Sequence, residues 1–136
     1  MASGKHLNEP CPCHSGQKYK RCCAPFHGGA QPPTPEALMR SRYAAYALGL
    51  TGYVLDTTDP LGPQAQPDRA AWAADVAAFS RRTRFEGLEV QGAGQEGDEG
   101  WVRFRALLTR EGRDASFTER SRFVRRDGRW LYVSGS

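Results

Sequence analysis

The chain has 136 residues, a hydrophobic fraction of 39 % and a formal charge of +4, which fits one domain and a small appendage around one core. No stretch approaches the roughly 18 apolar residues of a membrane span, and residues 1–10 lack the apolar centre of a signal peptide, so a cytoplasmic, reducing location is expected. The positive excess sits at both ends and is interspersed with Asp and Glu; it permits contact with RNA or a ribosome surface without specifying it.

Residues 1–9 read as disordered. Residues 10–27 contain every cysteine of the chain: Cys11 and Cys13 around Pro12, then Cys22 and Cys23. An extended backbone points the sulfurs of Cys11 and Cys13 to one side, and Ser15-Gly16 supplies a turn. Several soft, deprotonatable ligands in one short loop match a tetrahedral zinc site. Cys11, Cys13, Cys22 and Cys23 are therefore the candidate ligands of one zinc ion, with His14 and His27 as the residues that could replace a cysteine. Four thiolates leave such a centre with a formal excess of negative charge, which Lys18, Lys20 and Arg21 are placed to offset. Another soft metal, an iron–sulfur cluster, a disulfide or free thiols are the alternatives. A bridge between the neighbours Cys22 and Cys23 would be strained, and disulfides need an oxidising compartment.

The run Cys-Pro-Cys-His-Ser-Gly-Gln-Lys-Tyr-Lys-Arg-Cys-Cys over 11–23 resembles the SEC-C motif, the zinc-binding element at the C-terminus of the SecA translocation motor. Two positions depart from it. Cys23 stands where that motif commonly has His, and His14 where it usually has Gly; a positive φ there would favour Gly. The resemblance implies a zinc knuckle that docks a protein partner.

Residues 28–33 form a Gly- and Pro-rich linker. Thr34 is then a good N-cap, with Pro35 at the first helical position and Glu36 at the positive end of the dipole. Met39, Tyr43, Tyr46, Ala47 and Leu50 make an amphipathic stripe, Arg42 lies beside it, and Gly49 ends the helix. Residues 51–58 read as a second short helix closed by Asp59-Pro60, and 60–67 as a loop. Asp68 caps a third helix carrying Trp72, Val76 and Phe79. Strands are expected at 84–91, 101–110, 115–126 and 129–134, with a polar turn over 92–100 and a hairpin signal at Asp127-Gly128. Helices followed by an antiparallel meander are an α+β order, similar to the nuclear-transport-factor-2-like cone, in which helices pack on a curved antiparallel sheet over 34–136.

A second resemblance covers nearly the whole chain. Ala-Leu-Met-Arg-Ser-Arg-Tyr-Ala-Ala-Tyr-Ala-Leu-Gly over 37–49, Glu-Arg-Ser-Arg-Phe-Val-Arg-Arg-Asp-Gly-Arg-Trp-Leu-Tyr-Val over 119–133, and Cys22-Cys23 followed by His27-Gly28 are similar to the YchJ-like family. That resemblance implies a zinc knuckle attached to a nuclear-transport-factor-2-like domain and brings no reaction with it.

The three histidines, His6, His14 and His27, all precede residue 28. An acid or base inside the cone would have to be Asp, Glu, Tyr or a perturbed Arg neighbour, which weighs against an enzyme. Phe117, Glu119, Ser121 and Phe123 share one strand face. That face carries Glu119 into an apolar setting, where it needs a partner. A buried Glu119–Arg42 pair is expected, with Arg103 or Arg105 as substitutes, and Arg42, Tyr46 and Glu119 are the pocket candidates. The remaining aromatics read as core, and Asp56 and Asp59 as caps or solvated groups. Two functions follow. The first is an adaptor whose zinc knuckle docks a protein or ribosome. The second is a small-molecule binder or non-metal enzyme using the pocket around Glu119 and Arg42. Pairing of two copies through the sheet is a further expectation.

Overall fold

The computed structural model describes residues 7–136, so the expectation of disorder over residues 1–6 lies outside the described residues. Residues 7–9 are held in place. The Lys20 N–H donates to the Leu7 carbonyl at 3.0 Å and the Tyr19 N–H to the Glu9 carbonyl at 2.9 Å. The helices are α1 (Ala24–His27), α2 (Pro35–Leu48), α3 (Thr51–Asp56) and α4 (Arg69–Arg82). The strands are β1 (Thr83–Glu96), β2 (Glu99–Arg110), β3 (Arg113–Asp114), β4 (Phe117–Arg126) and β5 (Arg129–Gly135).

The helix ends follow local chemistry. Thr34 Oγ1 accepts from the Ala37 N–H at 3.1 Å, and Asp68 Oδ1 accepts from the Ala71 N–H at 3.1 Å, each satisfying a donor that the helix leaves open. Gly49 closes α2 in the left-handed conformation, φ 72°. No helix is long and apolar enough to cross a membrane among the described residues.

The sheet is antiparallel in the order β1-β2-β4-β5, with β3 pairing β2. Register shifts at Phe85/Gly87, Val90/Gly92 and Arg122/Phe123 bend it over the helices, as bulges do. β1 continues through residues 92–96, so the expected polar turn over 92–100 shrinks to Gly97-Asp98. The glycines there are sites of close approach instead of turn residues. A Cβ on Gly94 would lie 2.3 Å from Trp101 Nε1, and one on Gly92 3.3 Å from the same indole. Trp101 of β2 thus lies across a bare strip of β1.

Val102, Phe104, Ala106 and Leu108 alternate inward from β2 and meet Leu38, Met39, Tyr43 and Ala44 of α2. A second cluster gathers Ala45, Val54, Leu55 and Val76. α2 is buried beyond its expected stripe, at Ser41, Ala44 and Ala45 as well, because the cysteine segment, α3 and α4 also pack on it. Asp59 also departs from expectation. It is 2 % exposed and accepts from both Nε and Nη2 of Arg126 at 3.2 Å. Its own N–H donates to the Tyr132 carbonyl at 2.8 Å, so the chain after α3 is pinned to β5. Asp56 is exposed and pairs with Arg69 at 2.7 Å.

Candidate metal centre and cone cavity

The cysteine loop is built by short-range hydrogen bonds. The Cys11 N–H donates to the Gln17 carbonyl at 2.8 Å, and the His14 N–H returns to the Cys11 carbonyl at 3.0 Å. A 3-10 turn over Tyr19–Arg21 then brings Cys22 and Cys23 back to the first pair. All four Sγ atoms lie within 4.8 Å of one another. Cys13 and Cys22 are 3.5 Å apart, and Cys22 and Cys23 3.9 Å. Thiolates arranged tetrahedrally about a zinc ion would be about 3.8 Å apart, whereas a disulfide is about 2.05 Å; the cysteines are free. Spacing and donor chemistry both fit a metal ion.

Electrostatics point the same way. Hydrogen bonds from Cys11 and Cys23 hold the Cys13 thiol well below its ordinary value. Its counterpart Cys11, hydrogen-bonded to Cys13, is pushed up to about 12. Cys23, bonded to both, is raised as well. The sulfurs compete for one negative charge, and a bound cation is what allows neighbouring thiols to ionise together.

Neither histidine enters the cluster. His14 sits at φ 62°, the conformation that would favour Gly. Its Nε2–H donates to the Phe85 carbonyl of β1 at 3.0 Å. His27 spends both nitrogens: Nε2–H donates to the Ser41 carbonyl at 2.8 Å, and Nδ1 accepts from the Tyr19 hydroxyl at 2.6 Å. Burial lowers its pKa and keeps the ring neutral. Lys18, Lys20 and Arg21 are exposed. The cation that reaches the loop backbone is Arg40 of α2, donating to the Cys13 carbonyl at 3.3 Å and to Glu36 at 3.1 Å. Sequence reasoning missed it, since its only local signal is the Glu36–Arg40 spacing. Tyr19, Cys11, Cys13 and Cys23 join one core with Leu38 and Tyr43. The segment expected to be an appendage is therefore packed into the domain.

The cone holds a cavity of about 340 Å³ open to solvent on one side, and Arg42, Tyr46 and Glu119 all line it. Arg42 is 7 % exposed. Its Nη1 donates to the Val54 carbonyl at 2.9 Å, to Thr57 Oγ1 at 2.8 Å and to Thr58 Oγ1 at 3.1 Å. Its guanidinium carbon lies 4.5 Å over the Tyr132 ring. Burial lowers its pKa, against the pull of the nearby tyrosines and Glu119. Glu119 accepts from the Ser121 hydroxyl and, at 3.3 Å, from the Tyr132 hydroxyl. The expected Arg42–Glu119 ion pair is thus replaced by two separate poles. The end of α3 supplies Arg42 with neutral oxygens, and Tyr132 contacts both charged groups. Neither Arg103 nor Arg105 pairs with Glu119: Arg103 donates to Gln91 at 3.0 Å, and both point away, out of phase with Phe104. Thr57 and Thr58 escaped the sequence reading, and Tyr132, read there as core, lines the cavity, because their roles depend on β5 meeting α3.

Two family models match the chain: the SEC-C motif over residues 8–25, and the domain described as YchJ, middle NTF2-like domain, over residues 34–135. The chain belongs to the YchJ family. It is 45 % identical over 134 residues to a UPF0225 protein of Sodalis glossinidius, covering 95 % of this chain and 84 % of that one. A UPF0225 protein of Deinococcus radiodurans is 44 % identical over 130 residues, with 94 % and 89 % covered. The solution structure of a SEC-C motif containing protein from Rhodopseudomonas palustris superposes with a TM-score of 0.80 at 38 % identity, covering 93 % of this chain and 96 % of that one. A crystal structure of a SEC-C motif containing protein from Psychrobacter arcticus gives 0.79 at 23 % identity, covering 96 % and 83 %, and shares the fold. In this YchJ-family chain the two matched segments are joined by His27, whose ring bonds Tyr19 on one side and Ser41 on the other.

Proposed function

We propose that Cys11, Cys13, Cys22 and Cys23 hold one zinc ion as a closed structural centre, and that the functional site is the cone cavity, which binds a small organic molecule. The observation that carries this reading is Arg42, a cation 7 % exposed at a cavity of about 340 Å³, whose hydrogen bonds among the described residues go to neutral oxygens. A buried charge without a direct ion pair is costly, and a domain with only a packing role would gain by filling the space. Four protein thiolates leave zinc no open position for substrate. Among the described residues the cavity lining contains no histidine, which favours binding over acid–base turnover. Elemental analysis should find one zinc per chain. A metabolite library should yield compounds that raise the melting temperature of the native chain and not of Ala106→Met, which fills the cavity. A library without any stabilising compound, or compounds indifferent to that variant, would overturn the cavity reading.

Docking by the knuckle is the second reading. Lys18, Lys20 and Arg21 are all exposed on it, a basic turn suited to an acidic protein or ribosomal RNA. Capture at low salt with the native chain and with the three residues changed to Glu tests it. A partner retained equally by both would remove the basic turn from the account.

A further inference from the structure

The cavity's chemistry narrows the ligand, on the premise that the cavity is the functional site. We propose that it takes a small monocarboxylic acid with an aromatic or alicyclic body and a hydroxyl or amino donor next to the carboxylate, the carboxylate resting on Arg42 and the donor on Glu119.

Size comes first. A cavity of about 150 Å³ admits benzene, and this one is about 340 Å³, room for one ring with a short functionalised chain. Its walls include Trp72, Phe79, Phe85, Phe104, Phe117 and Phe123, which favour an apolar, ring-bearing body. Exposed Gln64, Gln66 and Asp75 also line it and form a polar mouth.

Arg42 selects the head group. Nη1 is engaged by three oxygens, and no described residue accepts from Nε or Nη2. Among the described residues the sealed, unpartnered polar atoms are Ser80 Oγ, Thr83 Oγ1 and Trp130 Nε1, so these two nitrogens keep some access, and Arg42 lines the cavity. Nε–H and Nη2–H lie side by side on a guanidinium and match the two oxygens of a carboxylate. The base of the guanidinium is held by α3 and the Tyr132 ring, so the fork is oriented before a ligand arrives.

Glu119 limits the choice. Its Oε2 accepts from Ser121 and Tyr132, and no described residue donates to Oε1. The carboxylate lies against Gly135, where a Cβ would approach its Cδ to 2.1 Å. A fixed anion in the same cavity repels a second negative charge, which disfavours phosphates and dicarboxylates. It favours a ligand donor that can reach Oε1.

The test is a ¹⁵N NMR titration of the full metal-loaded chain with three probes: 3-phenyllactate, 3-phenylpropanoate and 3-phenylpropanamide. Phenyllactate should bind most tightly. Phenylpropanoate should follow, and the amide should be weaker than phenylpropanoate by about tenfold or more, because the charge-assisted pair is lost. The Arg42 Nε–H resonance should shift with the acids and not with the amide. Glu119→Gln should erase the advantage of phenyllactate over phenylpropanoate, and Ala106→Met should abolish binding of all three while remaining folded. An amide that binds as tightly as the acids would overturn the assignment to Arg42 and leave the cavity reading standing. So would silence from all three probes beside neutral hits in the metabolite library. Silence in both experiments would overturn the ligand class and the cavity reading together.

Discussion

Cys13→Ser tests whether the metal centre stabilises the whole domain or only its own loop. Serine is close to cysteine in size, so packing is nearly preserved while a metal ligand is removed from the middle of the cluster. With the metal gone, the knuckle has little to offset the ordering of its chain. Three hydrogen bonds tie it to the domain: His14 to the Phe85 carbonyl, His27 to the Ser41 carbonyl and Arg40 to the Cys13 carbonyl. At about 1 kcal/mol each they contribute roughly 3 kcal/mol. Tyr19, fully buried at 0 % exposure, adds about 2 kcal/mol of apolar burial. Regained chain entropy offsets part of this, leaving a net loss of roughly 2–4 kcal/mol and a fall in melting temperature of about 8–16 °C. Thermal unfolding followed by near-ultraviolet circular dichroism, on the metal-loaded chain and on the variant, measures it. An unchanged melting temperature in a variant shown by elemental analysis to be metal-free would refute the shared core as a source of stability.

Asp59→Asn should cost about 1.5–3 kcal/mol in urea unfolding, since Arg126 keeps part of its solvation. Burial raises the Asp59 carboxyl, but hydrogen bonds from Arg126 outweigh it and set the folded pKa below the ordinary 3.8. The contribution is therefore full above pH 3.8 and is lost as pH falls through the folded value; stability curves of the native chain and the variant should converge in acid. Arg42→Gln should destabilise by roughly 2–4 kcal/mol by removing the charged donor shared by the Val54 carbonyl, Thr57 and Thr58, and Arg42→Lys should recover only part, since an ammonium lacks the planar fork. Gly94→Val should cost about 1–3 kcal/mol and shift tryptophan fluorescence to the red by lifting the Trp101 indole; an unaltered emission maximum would mean that the glycine strip is not its seat.

Much of the fold was legible locally. Thr34, Pro35 and Asp68 marked helix starts because their side chains act within three residues. Val102 to Leu108 could be read as a half-buried strand because pleating repeats every two residues. The four cysteines were legible as one site because the loop joining them is short. Residues 92–96 were misread because glycine signals a turn by composition, and a slot for a distant indole leaves no local mark.

The amino-acid sequence alone determined most element types, the sulfur cluster and the family, since these rest on spacing and on chemistry confined to short segments. Only the tertiary structure decided which partners the charged residues take and how the knuckle sits. Arg42 meets the end of α3 because Thr57 and Thr58, just after that helix, and Tyr132, about ninety residues beyond Arg42 along the chain, converge on it. Asp59 meets Arg126, and His14 meets Phe85, in the same way. A buried polar group takes whichever partner the packed chain brings within hydrogen-bond reach, and that choice depends on long-range geometry instead of sequence distance.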